Sequence, residues 1–276
     1  MGDKMWNKEN ALIKIWNVIY PILVYYAVSN VVMYFVMLAL GITENTYSAN
    51  YTMLQTIATA VAIPIILGYY HKDKLLCTVF HQRIGEAFRT NAPMEKVKNA
   101  VLTFVCGALV GIVLNNIIGA TGLTELSSAY QEVTTHFFSG DVLFEIIGVG
   151  ILIPIIEELL YRGIVYARLT DWIGIGKAAF ISALIFGGLH FNIVQFIYAF
   201  LIGILLVYFY EKTYSLLGAV LGHIGANLIT ILRTEYGILD WMEGSTVMYW
   251  GCTVLLAVIC ILLIGVIHKS SGEKKI

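Results

Sequence analysis

This chain contains eight apolar segments, most of them near 20 residues long, along almost its whole length. A helix needs about 20 apolar residues to cross a bilayer, where each backbone polar group must find a partner within the protein. Charged residues make up only 13% of the sequence, against about 25% in a soluble domain. We therefore predict an all-α polytopic membrane protein. Its spans are expected at about residues 15–40, 51–70, 98–118, 142–166, 178–191, 193–210, 215–233 and 246–267.

The positions of lysine and arginine predict how these spans are oriented. Cytoplasmic loops of membrane proteins carry an excess of both residues. With the N-terminus inside, all of the 17 Lys and Arg lie in cytoplasmic segments except Arg162, within the fourth span, and Arg233, in an outer loop. We therefore predict one integral, multi-pass domain over residues 1–276 with both termini in the cytoplasm. No basic patch is present, so the expected partner is the lipid bilayer and not a nucleic acid.

Ionisable side chains inside the apolar segments are the main clue to function. Glu157 and Glu158 lie in the fourth segment, and His190 and His223 lie in two others. Such a side chain costs about 2.5–3.5 kcal/mol at the bilayer centre, so it is rarely kept without a function. Glu158 and Arg162 are four residues apart on one helical face and are predicted to pair. Glu157 points about 100° away and is free to face another group.

The two histidine segments add further groups at helical spacing. Asn227 follows His223 by four residues, and Phe186 precedes His190 by four. Counted from the cytoplasmic ends at about 1.5 Å per residue, Glu157, His223 and His190 lie roughly 15, 12 and 19 Å deep. We therefore expect these groups to converge in the inner half of the membrane, in a cavity open to the cytoplasm.

Two kinds of chemistry fit a carboxylate, two imidazoles and an amide. A carboxylate shielded from water is a competent general base, a nearby histidine can share the same water, and the remaining donors can stabilise an oxyanion. Alternatively, Glu157, His190 and His223 hold a divalent metal such as zinc, with an open position for water. Both schemes hydrolyse a peptide bond, and the residues alone do not separate them.

The motifs also resemble those of a known family. They are Glu157-Glu158-x-x-x-Arg162, Phe186-x-x-x-His190 and His223-x-x-x-Asn227, in this order and on separate spans. This pattern resembles the CPBP family of intramembrane proteases, which includes CAAX proteases and bacteriocin-processing Abi proteins. The resemblance covers a core of about residues 142–235. The span count is similar to that of the Ras-converting CAAX endopeptidases.

The resemblance implies an endopeptidase that cuts a membrane-associated or lipidated protein or peptide, prenylated in the family's eukaryotic members. It implies that Glu157 polarises water beside His190, and that Glu158 is a supporting acid. His223 and Asn227 then stabilise the oxyanion, or bind metal in the family's metalloprotease description. Water activation without a metal is the preferred model. The active site is expected to face the cytoplasm, in the cell membrane if the source is bacterial.

Other functions and two local structures stay open at this point. Membrane glutamates and histidines also relay protons in transporters, although the inverted repeats typical of those proteins are not found. A non-catalytic membrane protein that gives immunity to a bacteriocin is a further alternative. Glu145 and Asn192, near span ends, are expected to be solvated. An amphipathic helix in residues 71–97 either lies on the membrane surface or simply connects two spans.

Overall fold

The computed structural model describes residues 10–76 and 78–272 and contains no strand within those ranges. The all-α prediction is thus confirmed. The helices are α1 Ala11–Leu40, α2 Glu44–Leu75, α3 Val79–Thr90, α4 Pro93–Gly119, α5 Leu123–Leu126, α6 Ser128–Phe137, α7 residues 142–173, α8 Ile175–Gly188, α9 Ile193–Thr213, α10 Leu216–Tyr236 and α11 Thr246–Gly272. Lys4, Lys8, Lys274 and Lys275, which contribute to the predicted orientation, lie outside the described residues.

Six of these helices are long and apolar enough to cross a membrane, namely α1, α2, α4, α9, α10 and α11. The helix α8 is apolar but has only 14 residues. The helix α7 covers the predicted fourth span but is not of one regular type. A polytopic membrane protein is therefore confirmed, whereas the count of eight spans and the orientation of the termini stay predictions.

Two π-helical segments interrupt α7 on either side of the glutamate pair. They are Glu145–Leu152 and Leu159–Tyr166, and the α-helical stretch Ile153–Glu158 lies between them. Pro154 is the second residue of that stretch, and its missing N–H removes one regular helical hydrogen bond next to the end of the first π segment. Segments of π-helix are rare and often occur at functional sites. Here they flank the residues that the sequence marks as functional.

Glycine residues allow the helix α10 to lie close to α4. A side chain at Gly107 of α4 would overlap the backbone of Gly222 of α10, and one at Gly225 would overlap the carbonyl oxygen of Phe104. Small residues at such contacts let two membrane helices approach closely. This packing fixes the rotation of α10 and so determines where its polar residues point.

The helix α3 packs against α7 and α9 of the protein. Phe80 is 1% exposed, and its ring contacts Tyr166 of α7 and Tyr210 of α9 at centroid distances of 5.4 and 5.2 Å. Asp171 of α7 accepts a hydrogen bond from the Phe80 backbone N–H at 2.9 Å. These contacts favour the reading of α3 as a connecting helix, and its position relative to the membrane surface stays a prediction.

Candidate active site

Glu158 and Arg162 form the predicted ion pair in the centre of the bundle. Their side chains are 0% and 1% exposed, and the Arg162 Nη1 donates to Glu158 Oε1 at 2.6 Å. The other guanidinium nitrogen, Nη2, donates to the carbonyl oxygen of Gly203 on α9 at 3.2 Å. A buried charge is tolerated only where it is paired and hydrogen-bonded, as both are here.

His223 of α10 joins both glutamates. Its Nδ1 lies 2.9 Å from Glu158 Oε1, and its Nε2 lies 3.7 Å from Glu157 Oε2. A carboxylate oxygen accepts hydrogen bonds, so Nδ1 carries a proton and Nε2 faces Glu157. The 3.7 Å separation exceeds a direct hydrogen bond and leaves space where a water or a substrate oxygen can bridge the two groups.

Glu157 is the more accessible of the two carboxylates. Its side chain is 17% exposed, whereas that of Glu158 is fully buried. It lies within electrostatic range of His223 and of His190. The α-helical geometry of Ile153–Glu158 turns the two neighbouring glutamates to different faces, as the sequence predicts.

Phe186 of α8 is the packing centre of the site. Its ring is 1% exposed and lies 4.4 Å from the Arg162 guanidinium, a cation–π distance. The rings of Tyr161, His190 and His223 lie 4.9, 5.1 and 5.8 Å away, centroid to centroid. This α8 ring therefore contacts α7, the turn after α8 and α10 at once and limits the rotamers of both histidines.

His190 is held at the end of α8 by the backbone. Its Nδ1 lies 2.9 Å from the carbonyl oxygen of Phe186. Because a carbonyl oxygen only accepts, Nδ1 is the protonated nitrogen and Nε2 keeps its lone pair. Such a histidine is preorganised to accept a proton or a hydrogen bond from a water molecule.

Asn227 lies one turn beyond His223 on the same helix. Its Nδ2 donates to the carbonyl oxygen of Val149 at 2.8 Å, inside the first π segment of α7. The amide is thereby oriented, and its second N–H is not required by this bond. The structure thus ties all three motif segments together through named contacts across α7, α8 and α10.

Two sequence expectations at the edge of the site are wrong. Glu145 is 1% exposed and Asn192 is 8% exposed, so neither is solvated. The Asn192 side chain caps α9 by accepting from the Gln195 N–H at 2.8 Å. Glu145 is buried because α2 and α10 both pack against the π segment that carries it, a contact that its position in the sequence does not reveal.

Tyrosines of α1 approach the site without any sequence signal. The Tyr25 and Tyr26 phenols lie within electrostatic range of Glu157, and Tyr26 shares a hydrogen bond with Tyr161. The two α1 rings are 5.2 Å apart. A run of aromatic residues in an apolar span is ordinary packing material, so only the fold reveals that these hydroxyls lie within electrostatic range of the carboxylate.

The side chains do not form a ready metal site. Among the described residues, no three His, Cys, Asp or Glu come together so as to hold an ion. The Nδ1 of each histidine is engaged, by Glu158 and by the Phe186 carbonyl oxygen, so each Nε2 is left free. The metal ligand set of Glu157, His190 and His223 stays a prediction, and no step below passes through a metal.

The structure is a polytopic helical bundle in which buried glutamates are joined to a histidine, and ionisable groups inside membrane helices mark functional sites. Residues 139–229 match the family model described as type II CAAX prenyl endopeptidase Rce1-like. The resemblance inferred from the motifs is confirmed over this segment, which is similar to a CAAX-type endopeptidase domain. All seven motif residues lie inside the match. No curated protein and no solved structure matched the chain.

Proposed function

We propose that the protein is an intramembrane endopeptidase that uses Glu157 to activate water. The observation that carries this proposal is the position of His223, whose two nitrogens face Glu158 at 2.9 Å and Glu157 at 3.7 Å. Arg162 neutralises the Glu158 carboxylate, so the Glu157 carboxylate is left to react. The family match over residues 139–229 supports a peptide bond as the target.

Water activation falls to Glu157 and His190. The water donates one hydrogen bond to the Glu157 carboxylate, and the unprotonated Nε2 of His190 accepts the other. Both acceptors are preorganised, since Glu157 sits on a regular stretch of α7 and His190 is fixed by the Phe186 carbonyl oxygen. A carboxylate and an imidazole aimed at one water raise its nucleophilicity and hold it in line for attack.

Oxyanion stabilisation falls to His223 and Asn227. The Nδ1 of His223 donates to the Glu158 carboxylate, and in the proposed reaction its Nε2 donates to the oxyanion. Asn227 adds its second amide N–H from the same helical face. Donors fixed in a water-poor site act strongly on a developing negative charge, because they do not need to reorient during the reaction.

The steps balance without an added reagent. Water attacks the carbonyl carbon, its proton passes to Glu157, and the carbonyl electrons move to the oxygen that His223 and Asn227 contact. The tetrahedral intermediate then collapses, the C–N bond breaks, and Glu157 returns the proton to the leaving amine. The new carboxyl end thereby receives the OH of the water and the new amino end receives its H. Glu157 is again a carboxylate.

The substrate is proposed to be a membrane-associated or lipidated protein or peptide, reached from the cytoplasmic side. A site inside a bundle of apolar helices favours a substrate that is already held by the bilayer. A peptide library anchored in vesicles, with and without a prenylated cysteine, tests this proposal by mass spectrometry. Two product peptides whose summed mass exceeds that of the substrate by one water support hydrolysis. Failure of the folded protein to cleave any member of the library contradicts the proposal.

Asn227→Ala is expected to lower kcat by about 10²–10³-fold with a small effect on KM, because one oxyanion donor is lost. Steady-state kinetics on a cleaved vesicle peptide measure the change. A variant with normal kcat but a lowered unfolding temperature would show that Asn227 only holds the Val149 carbonyl oxygen. Thr230→Val, one turn away on the same helix, serves as the control.

Chelation is expected to leave cleavage unchanged, because Glu157 and His190 activate water without a metal. The measurement is the cleavage rate of purified protein after treatment with a strong chelator, together with metal analysis of the same sample. Loss of activity that returns on adding back zinc would contradict the metal-free mechanism. Activity in a sample that contains no bound metal would support it.

A further inference from the structure

The turn that follows His190 contains a strained aromatic residue. Phe191 has a φ of +56° and is one of two non-glycine residues with positive φ among those described, the other being Tyr214. Its side chain is 78% exposed. A bulky residue in this left-handed region is unusual, since glycine or asparagine fits there with less steric conflict. Strain of this kind persists where the surroundings enforce it, and it concentrates at functional sites.

The bonds that enforce the strain also position His190. The His190 backbone N–H donates to the Gly187 carbonyl oxygen at 3.1 Å, and the His190 carbonyl oxygen accepts from Asn192 Nδ2 at 3.1 Å. The same amide group donates to Gln195 Oε1 at 2.6 Å. Phe191 is therefore presented by a rigid turn, directly beside a histidine that faces the proposed water.

The turn also lies at a membrane depth where the polar groups of irregular backbone need partners other than lipid. The 14 residues of α8 span about 21 Å at 1.5 Å per residue, less than the roughly 30 Å of a bilayer core. Irregular backbone at such depth is found where it is buried in protein or lines a cavity. Asn192 of this turn is buried, whereas Phe191 is 78% exposed, so the Phe191 ring projects outward from the bundle at this end of α8.

We propose that Phe191 is a specificity-determining residue that packs against a hydrocarbon group of the substrate next to the scissile bond. Contact with lipid alone does not require this residue, because any apolar side chain on a relaxed helix would serve. The Phe191 ring is flat, and its backbone is held in a disfavoured conformation beside His190. Such a fixed ring is suited to one defined contact. The inference rests on the proposed peptidase function and adds the recognition of an apolar substrate group.

The hydrocarbon can come from two sources, a lipid attached to the peptide or an apolar side chain. Three vesicle-bound peptides of one sequence separate them, with S-farnesyl cysteine, S-methyl cysteine or leucine before the cleaved bond. Phe191→Asn is the test variant, because asparagine tolerates the positive φ and removes the apolar ring. Phe191→Leu keeps an apolar surface, and Phe35→Asn removes an exposed phenylalanine of α1, remote in sequence from this turn, as a matched control.

For Phe191→Asn we expect KM to rise about tenfold for the peptide that carries the recognised hydrocarbon, a typical loss for an apolar contact. A change limited to the farnesyl peptide identifies an attached lipid, and a change limited to the leucine peptide identifies a side chain. Phe35→Asn is expected to leave every KM within about twofold. An unchanged KM for both apolar peptides in Phe191→Asn would overturn the inference.

A binding assay separates this inference from the proposed function. In a Glu157→Gln background, the affinity of each peptide is measured by fluorescence in nanodiscs with and without Phe191→Asn. Loss of the preference for an apolar peptide supports the contact even if no cleavage is found. Equal peptide affinity with phenylalanine and with asparagine at position 191 refutes the contact even if the protein is a peptidase. A lower unfolding temperature in Phe191→Asn would also refute it, because the ring would then be a packing residue.

Discussion

Replacing Glu157 with alanine is expected to abolish measurable cleavage, with kcat lowered by about 10²–10⁴-fold. The carboxylate takes the proton of the attacking water and returns it to the leaving amine, so no other group replaces it fully. The fold should survive, because Glu157 carries no short hydrogen bond and its side chain is 17% exposed. The measurement is kcat on a vesicle peptide beside thermal unfolding of the same preparation.

Glu145→Gln is the matched control for that experiment. Glu145 is a buried carboxyl on the same helix α7, twelve residues before Glu157, and neither of its oxygens has a hydrogen-bond partner among the described residues. Its replacement by a neutral amide of the same shape should leave kcat unchanged. Equal loss of activity in both variants would point to a general effect of altering α7 and against a chemical role for Glu157.

Replacing Arg162 with alanine is expected to destabilise the protein by about 3–5 kcal/mol, the usual cost of removing one partner of a buried pair. Glu158 would keep its charge with only His223 beside it, and Phe186 would lose the guanidinium that stacks on its ring. Reversible unfolding in mixed detergent micelles measures the change. Arg83→Ala, at a 38% exposed side chain paired with Glu211, should cost no more than about 1 kcal/mol.

A double variant separates charge burial from chemistry. Glu158→Gln with Arg162→Met removes both charges and keeps similar volumes, so most of the lost stability should return. Activity should not return, because the Nδ1 of His223 then lacks its carboxylate partner. A double variant that is as unstable as Arg162→Ala would contradict the view that an uncompensated charge causes the loss.

Local patterns were enough to predict most of the fold. The helices α4, α9 and α10 begin and end within about five residues of the predicted spans, because long apolar segments bounded by polar residues define both ends. The Glu158–Arg162 pair also followed from its i,i+4 spacing. The π segments of α7 were not predicted, since Pro154 indicates a weak point in a helix but not the type of irregularity.

The long-range contacts of the site could be predicted only in outline. The sequence indicates that His223 approaches the glutamates, but not that its Nδ1 takes Glu158 while its Nε2 faces Glu157, across 65 residues of chain. That choice depends on how α10 packs against α4 and α7. The phenols of Tyr25 and Tyr26 were missed for the same reason, because α1 has no motif and only tertiary packing brings it to Glu157.

The most direct test of the central claim, that Glu157 activates the water while Glu158 supports the site, is the single-turnover cleavage rate of Glu157→Gln. This variant keeps the shape of the side chain and removes only its basicity, and single-turnover conditions isolate the chemical step from product release. The account predicts a rate lowered by about 10²–10⁴-fold in protein that unfolds within about 2 °C of the wild type. A wild-type rate in Glu157→Gln would contradict it.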